Sequence, residues 1–180
     1  SGDVSNFRYA VYPKYKANRR KYRRPAGYEA LKDWARETWI SHSFKGIEGD
    51  DVIGIMADKE DIIVSRDKDL RTIPGTHLVG DELLSITKQQ ADMAFFTQVL
   101  MGDSTDGYPG CPKIGPKTAA KILDGCKEEN QFWFAVVEAY EKAGQSEVDA
   151  IQMARCARIL RKGEYDVHAE RPILWEPPTL

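Results

Sequence analysis

Gly46 to Leu70 reads GIEGDDVIGIMADKEDIIVSRDKDL, and the order of acids and aliphatics in it decides the fold class. After the loop that opens at Gly46, the chain should enter a helix near Asp50, whose carboxylate suits the free N–H groups of a helix start. Asp61 to Ser65, DIIVS, has the length and composition of a short buried strand. It runs straight into Arg66-Asp67-Lys68-Asp69, so two acids stand at the carboxyl end of a strand, where ligand sites of open α/β sheets lie. Pro74-Gly75 then predicts a turn before a strand around His77 to Val79.

Upstream, residues 4 to 12, VSNFRYAVY, are β-prone and end at Pro13, which predicts a strand closed by a turn. Lys14 to Arg24 is basic at seven of eleven positions, interleaved with Tyr15 and Tyr22. From Tyr28 to Ile40 the apolar residues Tyr28, Leu31, Ala35 and Trp39 fall at helical spacing. Downstream, a helix is expected over Lys88 to Met101 with Ala91, Phe95 and Val99 on its apolar face and Met93 and Phe96 in the core. A glycine-rich loop from Gly102 to Gly115 meets Pro116, a favoured first helical residue, and that helix stops at Gly125. Two more helices should cover about Asn130 to Lys142 and the stretch from Ser146, where Asp149 completes a capping box. The proline-rich tail from Glu164 should be extended.

The 180 residues suit one domain with two lobes, here divided as 1–86 and 87–180. No apolar run is long enough to cross a bilayer and Ser1 to Ala10 holds no signal-peptide core, so no membrane partner and a cytoplasmic location are expected. Cys111, Cys126 and Cys156 are odd in number and never spaced as a C-x-x-C pair, which fits reduced thiols and argues against a Cys/His zinc site. The net charge of −2 conceals segregation: residues 1–28 carry +7 and the remainder −9, with eight carboxylates between Glu48 and Asp69. A basic stretch facing an acidic one attracts phosphates and holds metals.

Three acidic clusters carry the chemistry: Glu48, Asp50 and Asp51; Asp67 and Asp69; Asp103 and Asp106. Any one alone is equally well explained as a helix cap or a solvated face. Converging on one mouth, they would repel strongly without cations, and hard oxygen ligands at this density imply Mg²⁺ or Mn²⁺. In Gly107 to Thr118, GYPGCPKIGPKT, the tight turn between Gly110 and Gly115, with Lys113, Lys117 and Thr118, reads either as a plain structural hairpin or as a phosphate grip that ignores sequence. In the basic run, Lys14, Lys16, Arg19 and Arg20 can pair with phosphates and Tyr22 can stack on an unpaired base, while a solvated helix face remains the plainer alternative.

These motifs together resemble the 5′ nuclease family of flap endonucleases and 5′→3′ exonucleases. GIEGDDVIG is similar to the family's acidic strand-to-helix motif, VSRDKDL to its second acidic motif, and MGDSTDGYPGCPKIGPKTAAKIL to its third acidic pair joined to a helix-hairpin-helix element. YPKYKANR resembles the base of its helical arch. Further on, QMARCARILRKGEYDV with LWEP resembles most the exonucleases of short-tailed bacteriophages. The chain departs from the pattern at Gly107, where the family has asparagine, and at Lys113, where it prefers glycine.

The resemblance implies an α/β fold: a small, mostly parallel sheet flanked by helices, a PIN-like core over 1–86 with the arch at about 14–27. It implies a helical lobe over 87–180 with the helix-hairpin-helix at about 103–124 and an extended tail. It implies two-metal hydrolysis of DNA from a 5′ end, at a duplex end, nick or flap, during replication, and leaves RNase H-type cleavage of a hybrid open. Asp3, Glu48 and Asp50 would serve one metal and Asp67, Asp69 and Asp103 the other, with Asp51 and Asp106 supporting both. Lys16 and Arg19 would act on the scissile phosphate. The hairpin would clamp duplex DNA, with K⁺ held by backbone carbonyls. A phage-encoded nuclease would work in the host cytoplasm. The family also begins with a strand bearing another aspartate, and its apparent absence here predicts a bare sheet edge and a partner chain or segment that fills it. Two other readings stay open: a catalytically incomplete module that binds duplex or branched DNA, and a PIN-like ribonuclease.

Overall fold

The computed structural model describes residues 6–19 and 24–178. A three-stranded sheet of order β1-β2-β3 lies at one end, with seven helices around and beyond it among the described residues. β1 (Ile62–Val64) pairs in parallel with β2 (Gly75–Val79), placing Ile62 beside Thr76, and β2 pairs antiparallel with β3 (Glu82–Ile86) across a tight turn at Gly80. The fold is α/β as expected, with one parallel and one antiparallel pairing, and β3 is an element the sequence reading missed. The expected buried strand is covered on one face only: Ile63 packs with Leu70, Ile73 and Ile159, while Ile62 and Val64 are exposed. The outer edge of β1 has no strand partner among the described residues.

Over 6–12, the described part of the expected 4–12 strand, no strand forms. Residues 4 and 5 lie outside the described residues, and Arg8–Val11 forms a helical turn, α1. The Asn6 side chain accepts a hydrogen bond from the Arg8 N–H, and the Arg8 side chain is drawn inward to Asp51, so a local Asx turn and a tertiary ion pair override β propensity. Of the basic run, Ala17–Arg19 forms a 3₁₀ turn and residues 20–23 lie outside the described residues.

The helices follow the pattern more closely. α2 (Tyr28–Thr38) is amphipathic as read, yet none of its residues is buried, and Leu31, Trp34 and, just beyond, Trp39 remain exposed. α3 (Gly49–Met56) starts with Glu48 rather than Asp50 as its N-cap. α4 (Lys88–Met101) is capped by Thr87 and Gln90 and runs through the centre of the core with Ala91, Phe95, Phe96, Val99 and Leu100 fully buried. Met93 packs partly buried against it. α5 (Pro116–Ile122), α6 (Glu129–Lys142) and α7 (Glu147–Ala157) close around α4, and Ser146 and Asp149 form the expected capping box. Trp133 and Trp175 meet edge to face at 5.0 Å and join Phe95 and Phe96 in one aromatic cluster. The tail is extended apart from a short pairing of β4 (Tyr165–Asp166) with β5 (Arg171–Pro172).

Counted from Arg158, where α7 ends, the tail returns to the sheet and α3. Arg161 donates to the Thr72 carbonyl and to Asp92 on α4, and the Leu160 carbonyl lies against Gly54 of α3. No helix among the described residues is long and apolar enough to cross a membrane.

Candidate active site

Three chain segments bring their acids to one small cavity of about 30 Å³, room for a water or an ion rather than for a nucleotide. Glu48 and Asp50 come from the start of α3, Asp69 from the turn after β1, and Asp103 and Asp106 from the loop after α4. Tyr15 and Tyr108 form its apolar wall, their rings stacked 6.4 Å apart. Of the seven acids in the three clusters read from the sequence, these five line the cavity. Asp67 does not border the cavity, but its charge reaches both Asp50 and Asp69. Asp3, Arg20 and Tyr22 lie outside the described residues.

The acids divide by partner. Glu48 accepts from the Lys16 ammonium at 2.6 and 2.7 Å, one contact to each oxygen, and Lys16 also stands 3.4 Å from Asp106. Arg19 donates to Asp106 at 2.9 Å, and the Tyr15 hydroxyl, with one proton to give, lies 2.8 Å from Asp106 and 3.0 Å from Glu48. The basic run thus neutralises two of the acids directly. Asp103 is a turn former whose Oδ1 accepts from the Thr105 and Asp106 N–H groups. Asp69 accepts from the Gln98 amide at 2.7 Å. Asp50 has no hydrogen-bond or ion-pair partner among the described residues. Burial, then the charges of Asp67, Glu48 and Asp51, push its carboxyl above the ordinary value, and burial with Asp67 and Asp103 does the same to Asp69.

Asp51 corrects the sequence reading. It is fully buried, and all its acceptor positions are filled: Arg8 bonds both oxygens at 2.7 Å, while the Glu48 and Leu160 N–H groups add 2.9 and 3.0 Å contacts. Burial works to raise its pKa, but the charge and hydrogen bonds of Arg8 outweigh this and hold it below the ordinary range. A saturated carboxylate paired with arginine has nothing left for a metal, so Asp51 is a bracket that fixes α3 and Glu48. Arg8, which also donates to the Cys156 and Arg158 carbonyls, was missed. Its signal was there, since a lone arginine inside the apolar run FRYAV needs a buried counter-charge.

Among the described residues no three His, Cys, Asp or Glu side chains stand placed to enclose a metal ion, in keeping with Glu48 and Asp106 being held by Lys16, Arg19 and Tyr15. The donor set nevertheless fits a hard divalent cation, because it is all oxygen and because burial, and after it the charge of neighbouring carboxylates, raises two of its members, a strain that a bound cation would relieve.

The glycine-rich hairpin is built by close backbone approach. A Cβ on Gly110 would lie 2.2 Å from the Gly102 nitrogen, and both glycines have positive φ. Lys113, where the sequence departs from the family, takes the left-handed conformation with φ 64°, so a lysine occupies a backbone position suited to glycine. Lys14, Lys113, Lys117 and Thr118 are exposed, and Gly115 caps α5.

No protein-family model matches the chain. The exonuclease of Escherichia phage T7 is 31% identical to it, over 93% of this chain and 69% of that protein. The exodeoxyribonuclease of Enterobacteria phage T3 is also 31% identical, with 93% and 68% covered. The flap endonuclease Xni of Shewanella sp. (strain ANA-3) is 28% identical over 92% of this chain and 71% of its own length. Among solved structures, the flap endonuclease of bacteriophage T5 in a complex with DNA and metal ions superposes with a TM-score of 0.64 at 16% identity, covering 85% of this chain and 70% of that one. The 5′-exonuclease of the same phage with zinc ions bound gives 0.63 over 84% and 69%.

Proposed function

This chain belongs to the 5′ nuclease family of phage exonucleases and bacterial flap endonucleases, and from that membership we propose that it hydrolyses DNA phosphodiester bonds from a 5′ end with divalent cations held among its carboxylates. The observation that carries the reading is the meeting of five acids from three segments at one ion-sized cavity, with Lys16 and Arg19 against two of them.

Glu48 and Asp50 would hold one ion, and Asp67, Asp69 and Asp103 the other, with Mg²⁺ or Mn²⁺ the class that suits oxygen donors. When bound, such ions lower the pKa of a coordinated water and neutralise a leaving oxygen. The chain's own groups do the rest. Lys16 and Arg19 offset charge on the phosphate as it becomes pentacovalent. Tyr15 spaces Glu48 from Asp106, and Arg8 holds Asp51, whose carboxylate fixes the Glu48 backbone. The exposed Lys113, Lys117 and Thr118 on the Gly110 to Gly115 hairpin would grip duplex backbone without reading sequence, with K⁺ at its carbonyls. The function served is primer removal or DNA degradation during replication.

The test is digestion of duplex DNA labelled at either end, with Mg²⁺ and with a chelator. Metal-dependent release from 5′ ends is expected, and release beginning at 3′ ends contradicts the polarity. Asp69→Ala should abolish cleavage and leave duplex binding nearly intact; equal activity would remove the cavity from the mechanism. A second reading, DNA binding without cleavage, is favoured by the cations that already engage Glu48 and Asp106. Retained binding with no metal-dependent cleavage in the unaltered chain would select it.

A further inference from the structure

We propose that Lys16 is a built-in competitor for the divalent cation: its ammonium holds the Glu48 carboxylate of the metal-free site, and the entering ion displaces it and so releases that charge toward the phosphate. The inference rests on the function proposed above and adds a step to it.

The geometry is specific. A cation 2.6 and 2.7 Å from the two oxygens of one carboxylate stands where a bidentate metal would stand, so both cannot be there at once. The contact is not a chance swing of a long surface lysine. Lys16 is only 9% exposed, and its backbone is pinned in the left-handed region with φ 49° by its N–H bond to the Asp106 carbonyl at 2.6 Å. On the neighbouring turn, a Cβ on Gly107 would lie 3.3 Å from the Lys14 carbonyl, so the two backbones run in close contact. The backbone is thus held in place, and the ammonium already lies between two acceptors, Glu48 and, at 3.4 Å, Asp106, so rotation about the four-carbon stem is all that its release from Glu48 requires.

The other acids show the contrast. Asp50, Asp67, Asp69 and Asp103 have no cationic side chain within ion-pair distance among the described residues, whereas Glu48 has Lys16 and, at 3.8 Å, Arg8. Of the five carboxylates proposed as ligands, Glu48 is the one that the chain's own cations neutralise among the described residues; Asp106, which Lys16 and Arg19 also engage, lies outside that set. Exchange of a monovalent ammonium for a divalent ion raises the local charge by one, and the DNA phosphate that then meets Lys16 carries one negative charge in return. Empty protein would keep Glu48 paired, and metal-loaded protein would present Lys16 to substrate.

Binding of Mn²⁺ alone, without DNA, tests this by calorimetry on the whole chain. Lys16→Met should bind Mn²⁺ about tenfold more tightly than the unaltered protein. Arg19→Met, which removes an equal charge that touches only Asp106, should bind it only slightly more tightly. Equal affinity in Lys16→Met, or an equal gain in both variants, overturns the proposal, since the second result is a diffuse charge effect. Absence of Mn²⁺ binding in every protein would overturn it together with the metal-dependent function, whereas binding unaffected by Lys16 would overturn it alone. If Lys16→Met does not fold, the Lys16 ammonium of unaltered protein labelled with ¹⁵N-lysine decides. Its exchange-protected signal should be present in chelator and shifted or lost at saturating Mg²⁺, and a signal unchanged by Mg²⁺ refutes displacement.

Discussion

Burial and the charges of Asp67, Glu48 and Asp51 raise the Asp50 carboxyl above its ordinary value of 3.8, so the folded chain binds this proton more tightly than the unfolded chain does. For a group shifted that way, stability falls as pH rises through the window between the unfolded and the raised folded value, and the ionised form is a standing cost at neutral pH. Asp50→Asn should therefore raise the metal-free thermal stability by about 1 kcal/mol while abolishing cleavage. Its advantage over the unaltered chain should shrink as pH is lowered toward the ordinary carboxylate range. Thermal midpoints in chelator across that range check this, and an advantage independent of pH would mean that Asp50 ionisation is not the cause. Asp51 has the opposite sign: its pKa is held down, so its contribution is present above the ordinary carboxylate value and is lost as pH falls through the depressed one. Arg8→Met leaves the Asp51 charge buried with only the Glu48 and Leu160 N–H groups and no counter-charge, and should cost about 3–5 kcal/mol in urea unfolding. A cost near that of a surface substitution would show that Asp51 is rehydrated rather than trapped.

At the scale of elements, α3 is the piece on which the site depends, because it carries Glu48, Asp50 and Asp51 within its first turn and packs its backbone against the returning tail. A Cβ on Gly54 would lie 2.1 Å from the Leu160 carbonyl and 3.2 Å from Ile73. Backbone cannot yield as a side chain does, so Gly54→Ala should push α3 off the tail and cost about 1–3 kcal/mol. Mn²⁺ affinity should fall with it, since the carboxylates ride on the same helix; unchanged stability and affinity would show that α3 is free to shift. The helices were legible from local pattern: Ser146 with Asp149 opens α7 as read, while α4 was read from its apolar face and its Thr87 and Gln90 cap appears only in the structure. α1 was misread because a β-prone run of nine residues contains Asn6, whose side chain forms an Asx turn, and Arg8, whose partner lies 43 residues away. α2 was read correctly as a helix, but its pattern did not reveal that Leu31 and Trp34 stay exposed.

Across the whole molecule, the division at residue 86 marks a change of architecture and not a gap between independent bodies, as we read it. Arg161 ties the tail to Thr72 and to Asp92, Gln98 on α4 reaches Asp69, and Arg8 reaches the carbonyls of Cys156 and Arg158. The two parts should consequently unfold together. Tryptophan fluorescence, whose change on unfolding should come chiefly from the buried Trp133 and Trp175 since Trp34 and Trp39 are already exposed, and far-ultraviolet dichroism should give coincident urea transitions, and Arg161→Met should shift both equally. Two separated transitions would show that the halves are independent. The sequence alone determined the α/β class, most of the helix positions and the acidic clusters from which the cavity draws its acids, because periodicity, capping residues and clustered like charges are local properties of the chain. Only the tertiary structure decided that Asp51 serves Arg8, that Lys16 covers Glu48, that one face of β1 stays open and that the tail closes on α3. Those outcomes depend on which distant groups compete for the same carboxylate or surface, and spacing along the chain carries no record of that competition.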